Sequence, residues 1–267
     1  MTDPNEVLYR VDGPVATLTL NRPARRNAIT RSMLDSLSAK LLQANDDANV
    51  RAVVLTGAGS SFCVGLDIED ALGGQGIGSD ASNDQVQVNL DLRKAPPTVL
   101  HNLDKPTICL LNGAAAGYGL DLALGCDLRI MAHTAKLSPA FVKRGVVPES
   151  GGTWYLPRML GWSKAAQVLF TGRNLDLQQS LDLGLVDFGF SNDEEQARAM
   201  AIVDEICQNA PLAVQSAKRL MRMGLSEGFN EHVHHVFLQF LQLARTQDFK
   251  EGMRSFMDKR PAQFTGK

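Results

Sequence analysis

Two short runs of alternating apolar and polar residues, VLYRVD and VATLTL, face each other across Gly13-Pro14 in the stretch EVLYRVDGPVATLTLNRP. Alternation with period 2 marks a half-buried strand, and Asp12-Gly13 is a strong turn signal, so the pattern predicts a β-hairpin. The period then changes. In TRSMLDSLSAKLLQANDD (30–47), Met33, Leu34, Leu37, Leu41 and Leu42 recur at helical spacing behind Thr30, a good N-cap residue. RAVVLTG, ending at Gly57, is a continuous apolar run and predicts a fully buried strand; TICLLNG (107–113) and CDLRIMA (126–132) repeat that design. Strand, glycine-containing turn, helix and strand in succession predict an α/β fold wound around a largely parallel sheet. From about residue 193 the pattern is helical throughout, over 193–208, 211–224, 229–245 and 248–258. We divide the chain accordingly into an α/β core (1–195) and a helical C-terminal region (196–267). Residues 69–85, rich in Gly, Ser, Asp and Asn, predict a surface loop placed where a lid could be.

Composition narrows the classes. A chain of 267 residues that is 44% hydrophobic can build a large core without disulfides or structural metal. A formal charge of −2, with no basic run interleaved with aromatics, gives no argument for a nucleic-acid or membrane partner. Cys63, Cys109, Cys126 and Cys207 are dispersed, with no CxxC spacing, and read as buried free thiols of a reducing cytosol. The first residues show neither a basic n-region nor an apolar h-region, and no apolar run reaches ~18 residues, so a cytoplasmic protein is expected. His232 and His235 in HVHH share a helical face, but no cysteine or acid cluster accompanies them, so no metal is expected. His101 and His133 are isolated and read as structural.

Two strands end in glycine-containing loops that lead towards helices: GAGSSFCVGLDIEDA (57–71) and NGAAAGYGLDLALGCD (112–127). Neither has the GxGxxG spacing of a dinucleotide site or the Gly-Lys-Ser/Thr of a phosphate loop. What they offer is close approach of backbone N–H groups to a ligand, and two such loops could direct two donors at one developing oxyanion.

Here a family resemblance becomes specific. SFCVGLDI is similar to the F-x-x-G-x-D-[IL] segment of the crotonase (enoyl-CoA hydratase/isomerase) superfamily. KPTICLLNGAAAGYGLDLALGCDLRIMA resembles its second glycine-rich segment, and NRPARRNAIT its N-terminal NRP-x-x-x-N-A signature. The likeness continues through GVVPESGGTWYLPRMLGWSKAAQVLFTGRNLDLQQSLDLGLVD and closes with DFKEGMRSFMDKRPAQF. Only 69–98 and 190–210 are unmatched.

The resemblance implies a spiral of stacked ββα turns with a helical C-terminal trimerisation region, a homotrimer or dimer of trimers, and an acyl-CoA thioester substrate. No further cofactor is implied, because CoA arrives with the substrate. It places the oxyanion hole at the N–H groups of Leu66 and Tyr118. It places the CoA moiety along Arg25, Arg26, Ala28, Cys63, Asp67 and Ile68, with Phe256 and Lys259 reaching the nucleotide. Trp154 and Trp162 are assigned to the core or the acyl pocket.

Hydratases of the family use two glutamates, and this chain departs from both. The first position holds Asp121, one methylene shorter, and the second holds Phe141, which can neither activate water nor move a proton. Eight residues further on, VVPESGG presents Glu149, where some Δ3,Δ2-enoyl-CoA isomerases of the superfamily carry their single base. Such a base takes a proton from C2 and returns it at C4. An apolar wall such as Phe141 would raise its pKa towards the useful range. Glu149 is therefore read as a base and not only as an acid suited to a helix N-terminus. The expected function is enoyl-CoA isomerase. The alternatives are a hydratase using Asp121 and Glu149, and a non-catalytic homologue that binds CoA.

Overall fold

In the computed structural model, which describes residues 5–67, 69 and 92–267, the alternating runs form β1 (Val7–Asp12) and β2 (Val15–Leu20). They pair antiparallel from Val7↔Leu20 to Asp12↔Val15. Alternate residues of β2, namely Ala16, Leu18 and Leu20, are wholly buried. The helix α1 (Arg31–Asp46) follows, and the Thr30 hydroxyl accepts the Met33 N–H at 3.1 Å, so Thr30 is the N-cap. The core stripe of α1 is Met33, Leu37, Leu41 and Ala44, with Ser38 beside it. Leu42, expected on that face, is 42% exposed, because a residue next to Leu41 points about 100° away from it.

Beyond α1 the chain repeats one unit. A strand of the large sheet is followed by a short strand of a second sheet and then by a helix. β3 (Ala52–Gly57) and β4 (Ser61–Cys63) begin the first such unit, and α2 (Pro96–Asn102) precedes the second. That second unit is β5 (Thr107–Leu111), β6 (Ala114–Ala116) and α3 (Tyr118–Gly125). The third opens with β7 (Leu128–Ala132) and β8 (Leu137–Ser138). It continues with α4 (Gly152–Leu160), α5 (Trp162–Thr171) and α6 (Leu177–Leu183) before β9 (Phe188–Phe190). The large sheet has the order β1-β2-β3-β5-β7-β9, parallel from β2 onward, and the small parallel sheet has the order β4-β6-β8. This is the stacked ββα spiral, and each pass stacks one more apolar strand on the growing core.

Four helices close the chain: α7 (Asp193–Gln208), α8 (Pro211–Met223), α9 (Phe229–Leu243) and α10 (Gln247–Asp258). Helix α7 buries Ala199, Val203 and Cys207 and packs on the large sheet. Helix α8 is tied to the end of α2 by charge. Arg219 and Arg222 both reach Asp104, and Lys218 reaches Asp127 at 2.7 Å. Helix α9 buries none of its residues. No helix among the described residues is long and apolar enough to cross a membrane. All four cysteines are free and buried.

Candidate active site

The small sheet brings the two glycine loops together. β4 and β6 are parallel neighbours, pairing Ser61↔Ala114 and Cys63↔Ala115 across a register shift, so the loops after them leave the same edge side by side. Gly65 (φ 103°) and Gly117 (φ 52°, ψ −125°) both adopt backbone conformations that disfavour an L side chain. They also touch: a Cβ on Gly65 would sit 3.2 Å from the Ala116 carbonyl oxygen, and one on Gly117 3.7 Å from the Gly65 Cα.

The two candidate donors come directly after these glycines. Ile29 donates to the Gly65 carbonyl at 2.8 Å and accepts from the Asp67 N–H at 2.9 Å, which makes Leu66 its parallel-bridge partner. In such a bridge the Leu66 N–H points away from Ile29. Tyr118 is the first residue of α3, and its N–H has no intrahelical acceptor. Both donors thus come from adjacent loops and lack a partner inside their own elements.

A network that the sequence reading did not assign holds the first loop. Asn27 is fully buried at φ 57°. Its Nδ2 donates to the carbonyls of Ala58 (2.9 Å) and Ser61 (2.8 Å), and its Oδ1 accepts the Arg22 N–H (2.8 Å). Arg22 donates to the Ala28 carbonyl at 2.6 Å and to Asp67 at 3.0 Å, and also pairs with Glu6. Asp67 is buried, and the Arg22 bond and neighbouring positive charge hold its carboxyl below the usual range despite desolvation. The signal for both residues was present in the N-R-P-x-x-x-N-A motif.

Of the residues expected along CoA, Arg25 lies against Asp67 and Glu69, Arg26 is exposed in a left-handed turn, and Ala28 is buried beside the Leu66 bridge. Cys63 is fully buried, and burial pushes its thiol up to about 12, so it stays protonated. Ile68, and nearly all of the loop read over 69–85, lie outside the described residues. Phe256 is 84% exposed on α10, and Lys259 ends that helix in a left-handed conformation; a single chain buries neither against the loops.

The acids are brought together around one turn. Asp121, in the first turn of α3, is 1% exposed, and its Oδ2 accepts the Ser150 N–H at 3.0 Å. Burial pushes its carboxyl up to about 7, against the opposing effect of the Ser150 and Gly152 N–H groups and with help from the nearby Glu149 charge. Glu149 itself keeps an open face to solvent, yet the walls around its carboxylate remove enough water to raise its pKa. It sits in the turn before α4, after the buried Pro148. Phe141 is buried, and its carbonyl accepts the N–H groups of Arg144 (2.9 Å) and Val146 (3.2 Å), which closes a tight turn.

Behind the turn, Tyr155 packs on Gly151 and joins His101 and Trp154 in an aromatic cluster, with Arg158 over the Trp154 ring at 4.0 Å. Desolvation lowers the pKa of His101. The other tryptophan corrects the sequence reading. Trp162 is 78% exposed at the start of α5 and lies outside the core of the described residues. The Nδ1 atoms of His232 and His235 both face Glu227, at 3.1 and 3.0 Å.

Comparison with known proteins agrees with this fold. A family model described as enoyl-CoA hydratase/isomerase matches residues 10–267. The 1,2-epoxyphenylacetyl-CoA isomerase of Escherichia coli (strain K12) is 34% identical over 266 residues, 98% of this chain and 98% of the relative. The short-chain-enoyl-CoA hydratase of Clostridium acetobutylicum (strain ATCC 824) is 32% identical over 262 residues, 96% of each. The crystal structure of an enoyl-CoA hydratase from Mycobacterium tuberculosis H37Rv superimposes with a TM-score of 0.88 at 28% identity, covering 98% of this chain and 100% of that one.

Proposed function

Because the chain belongs to the enoyl-CoA hydratase/isomerase family, we propose that it is a Δ3,Δ2-enoyl-CoA isomerase with Glu149 as its single base. The observation that carries this reading is the unequal standing of the acids. Glu149 is open to solvent, Asp121 is sealed and engaged by the Ser150 N–H, and Phe141 stands where the resemblance puts a hydratase's second acid.

The reaction follows from that arrangement. The thioester carbonyl oxygen accepts the N–H groups of Leu66 and Tyr118. The Glu149 carboxylate removes a proton from C2, and the electron pair moves onto the carbonyl oxygen as an enolate. Preorganised donors then meet charge that was absent in the ground state, an effect worth ~2.7–4 kcal/mol per donor in comparable sites. The protonated Glu149 returns its proton at C4, the double bond comes to rest between C2 and C3, and the carboxylate is regenerated. Burial raises the pKa of Glu149, which makes it a better base than an ordinary carboxylate. Ile68 on the first loop and Arg26 and Ala28 on the segment before α1 remain proposed CoA contacts, as do Arg25, Cys63 and Asp67, with Phe256 and Lys259 at the end of α10.

The relatives' names divide between isomerase and hydratase. A hydratase here would need Asp121 to share the activation of water with Glu149, and its carboxyl, pushed up to about 7, favours that second reading. Incubating the enzyme separately with a 3-enoyl-CoA and a 2-enoyl-CoA separates the two. We expect rapid conversion of the 3-enoyl thioester to its conjugated isomer and slow hydration of the 2-enoyl thioester. Hydration at a rate equal to or above isomerisation would overturn the isomerase assignment.

A further inference from the structure

We propose that Asp121 is a positioning residue: its carboxyl fixes the Ser150–Gly152 turn, and through it the direction of the preceding Glu149 side chain, without exchanging protons with substrate. This rests on Glu149 being the base.

The geometry around the carboxyl is that of an anchor. Oδ2 accepts the Ser150 N–H at 3.0 Å. The turn is pressed against it so closely that a Cβ on Gly152 would lie 2.4 Å from Asp121 Oδ1 and 2.9 Å from the Pro148 Cβ. Oδ1 is buried and has no hydrogen-bond partner among the described residues. A proton-transfer group must come within hydrogen-bond reach of the substrate, directly or through one water. Asp121 instead closes on backbone through Oδ2.

The anchor also has a consequence for the whole site. Tyr118, the donor at the head of α3, and Asp121 are three residues apart on one helix. The same rigid element therefore sets one oxyanion donor and the turn that carries the base. Sites built on regular elements hold their geometry better than sites on free loops, and a misplacement of about 1 Å can cost ~10²-fold in rate.

The test compares Asp121→Asn, which keeps an acceptor for the Ser150 N–H but cannot donate or take up a proton, with Asp121→Ala and Asp121→Leu, which remove the acceptor. For each we would measure kcat and KM with a 3-enoyl-CoA, the pH–rate profile, and hydrogen exchange at the Ser150 amide. The expected result is a loss of roughly 10–100-fold in kcat for the Ala and Leu variants, with KM nearly unchanged and Ser150 protection lost. Asn should restore protection and bring kcat back to within about fivefold of wild type, with the acid limb of the pH profile that Glu149 sets still in place. An Asn variant as impaired as Ala, or one missing a limb of the profile, would make Asp121 a proton-transfer group and overturn the proposal. Full kcat in Ala or Leu would overturn it too. If Ala and Leu fail to fold, the Asn profile alone decides. Ser150 protection reads the anchor independently of the chemistry, so it keeps its meaning even if Glu149 proves not to be the base.

Discussion

A carboxyl pushed up to about 7 from an ordinary value of 3.8 keeps its proton in the folded chain over a range where the unfolded chain has lost it. For Asp121 that range runs from about pH 4 to pH 7. The stability this linkage contributes is complete below the lower limit and is lost as pH rises through the upper one. The raised pKa of Glu149 acts in the same direction. Denaturant midpoints measured from pH 5 to 8 should therefore fall more steeply for wild type than for Asp121→Asn, which lacks one of the two groups. Identical slopes would mean that Asp121 is ionised throughout. At this scale much of the candidate site was legible. Glu149 was visible because a carboxylate after Pro148 and before two glycines is an unusual neighbour, and Gly65 and Gly117 because they interrupt strand-to-helix passages. The bond between Asp121 and Ser150 was not legible. It joins residues 29 apart, and only the packing of α4 against α3 brings them together.

Among the elements, those long enough to show a period were legible almost to the residue. The hairpin, α1 and the four C-terminal helices stand where alternation and helical spacing placed them. The small sheet was not. Its strands are two or three residues long, too short to display period 2, and two of them are built from alanine, serine and leucine. Their pairing is decided by the large sheet beneath, which sets β4, β6 and β8 side by side. That sheet matters most to function, since its edge carries both candidate donors. The face of α1 was misjudged at Leu42 for a related reason. A run of neighbouring leucines at 41 and 42 does not say which of the two points inward, whereas the stripe 33, 37, 41, 44 does.

For the whole molecule, the C-terminal helices present more apolar surface than a single chain can cover. Phe229, Phe237 and Phe240 on α9 are exposed, as are Met253, Phe256 and Met257 on α10. Contiguous patches of this kind mark contact surfaces. We propose that copies of the chain associate through them, as the resemblance implies. Light scattering should give the mass of a trimer or a multiple of it, and Phe237→Lys with Phe240→Lys should lower it. A wild-type protein that runs as a monomer would remove the argument.

The central claim, that Glu149 moves the proton, is tested most directly by kcat of Glu149→Gln on a 3-enoyl-CoA, read beside its thermal midpoint. Glutamine keeps the size and hydrogen bonding of the side chain but cannot accept the proton, and general acid–base groups typically supply ~10²–10⁴-fold in rate. The account predicts a fall in kcat of that order with acyl-CoA binding and melting temperature nearly unchanged. An acid that served only the α4 N-terminus would be worth ~0.3–1 kcal/mol of stability and nothing in rate. An unchanged kcat with a lowered melting temperature would contradict the account.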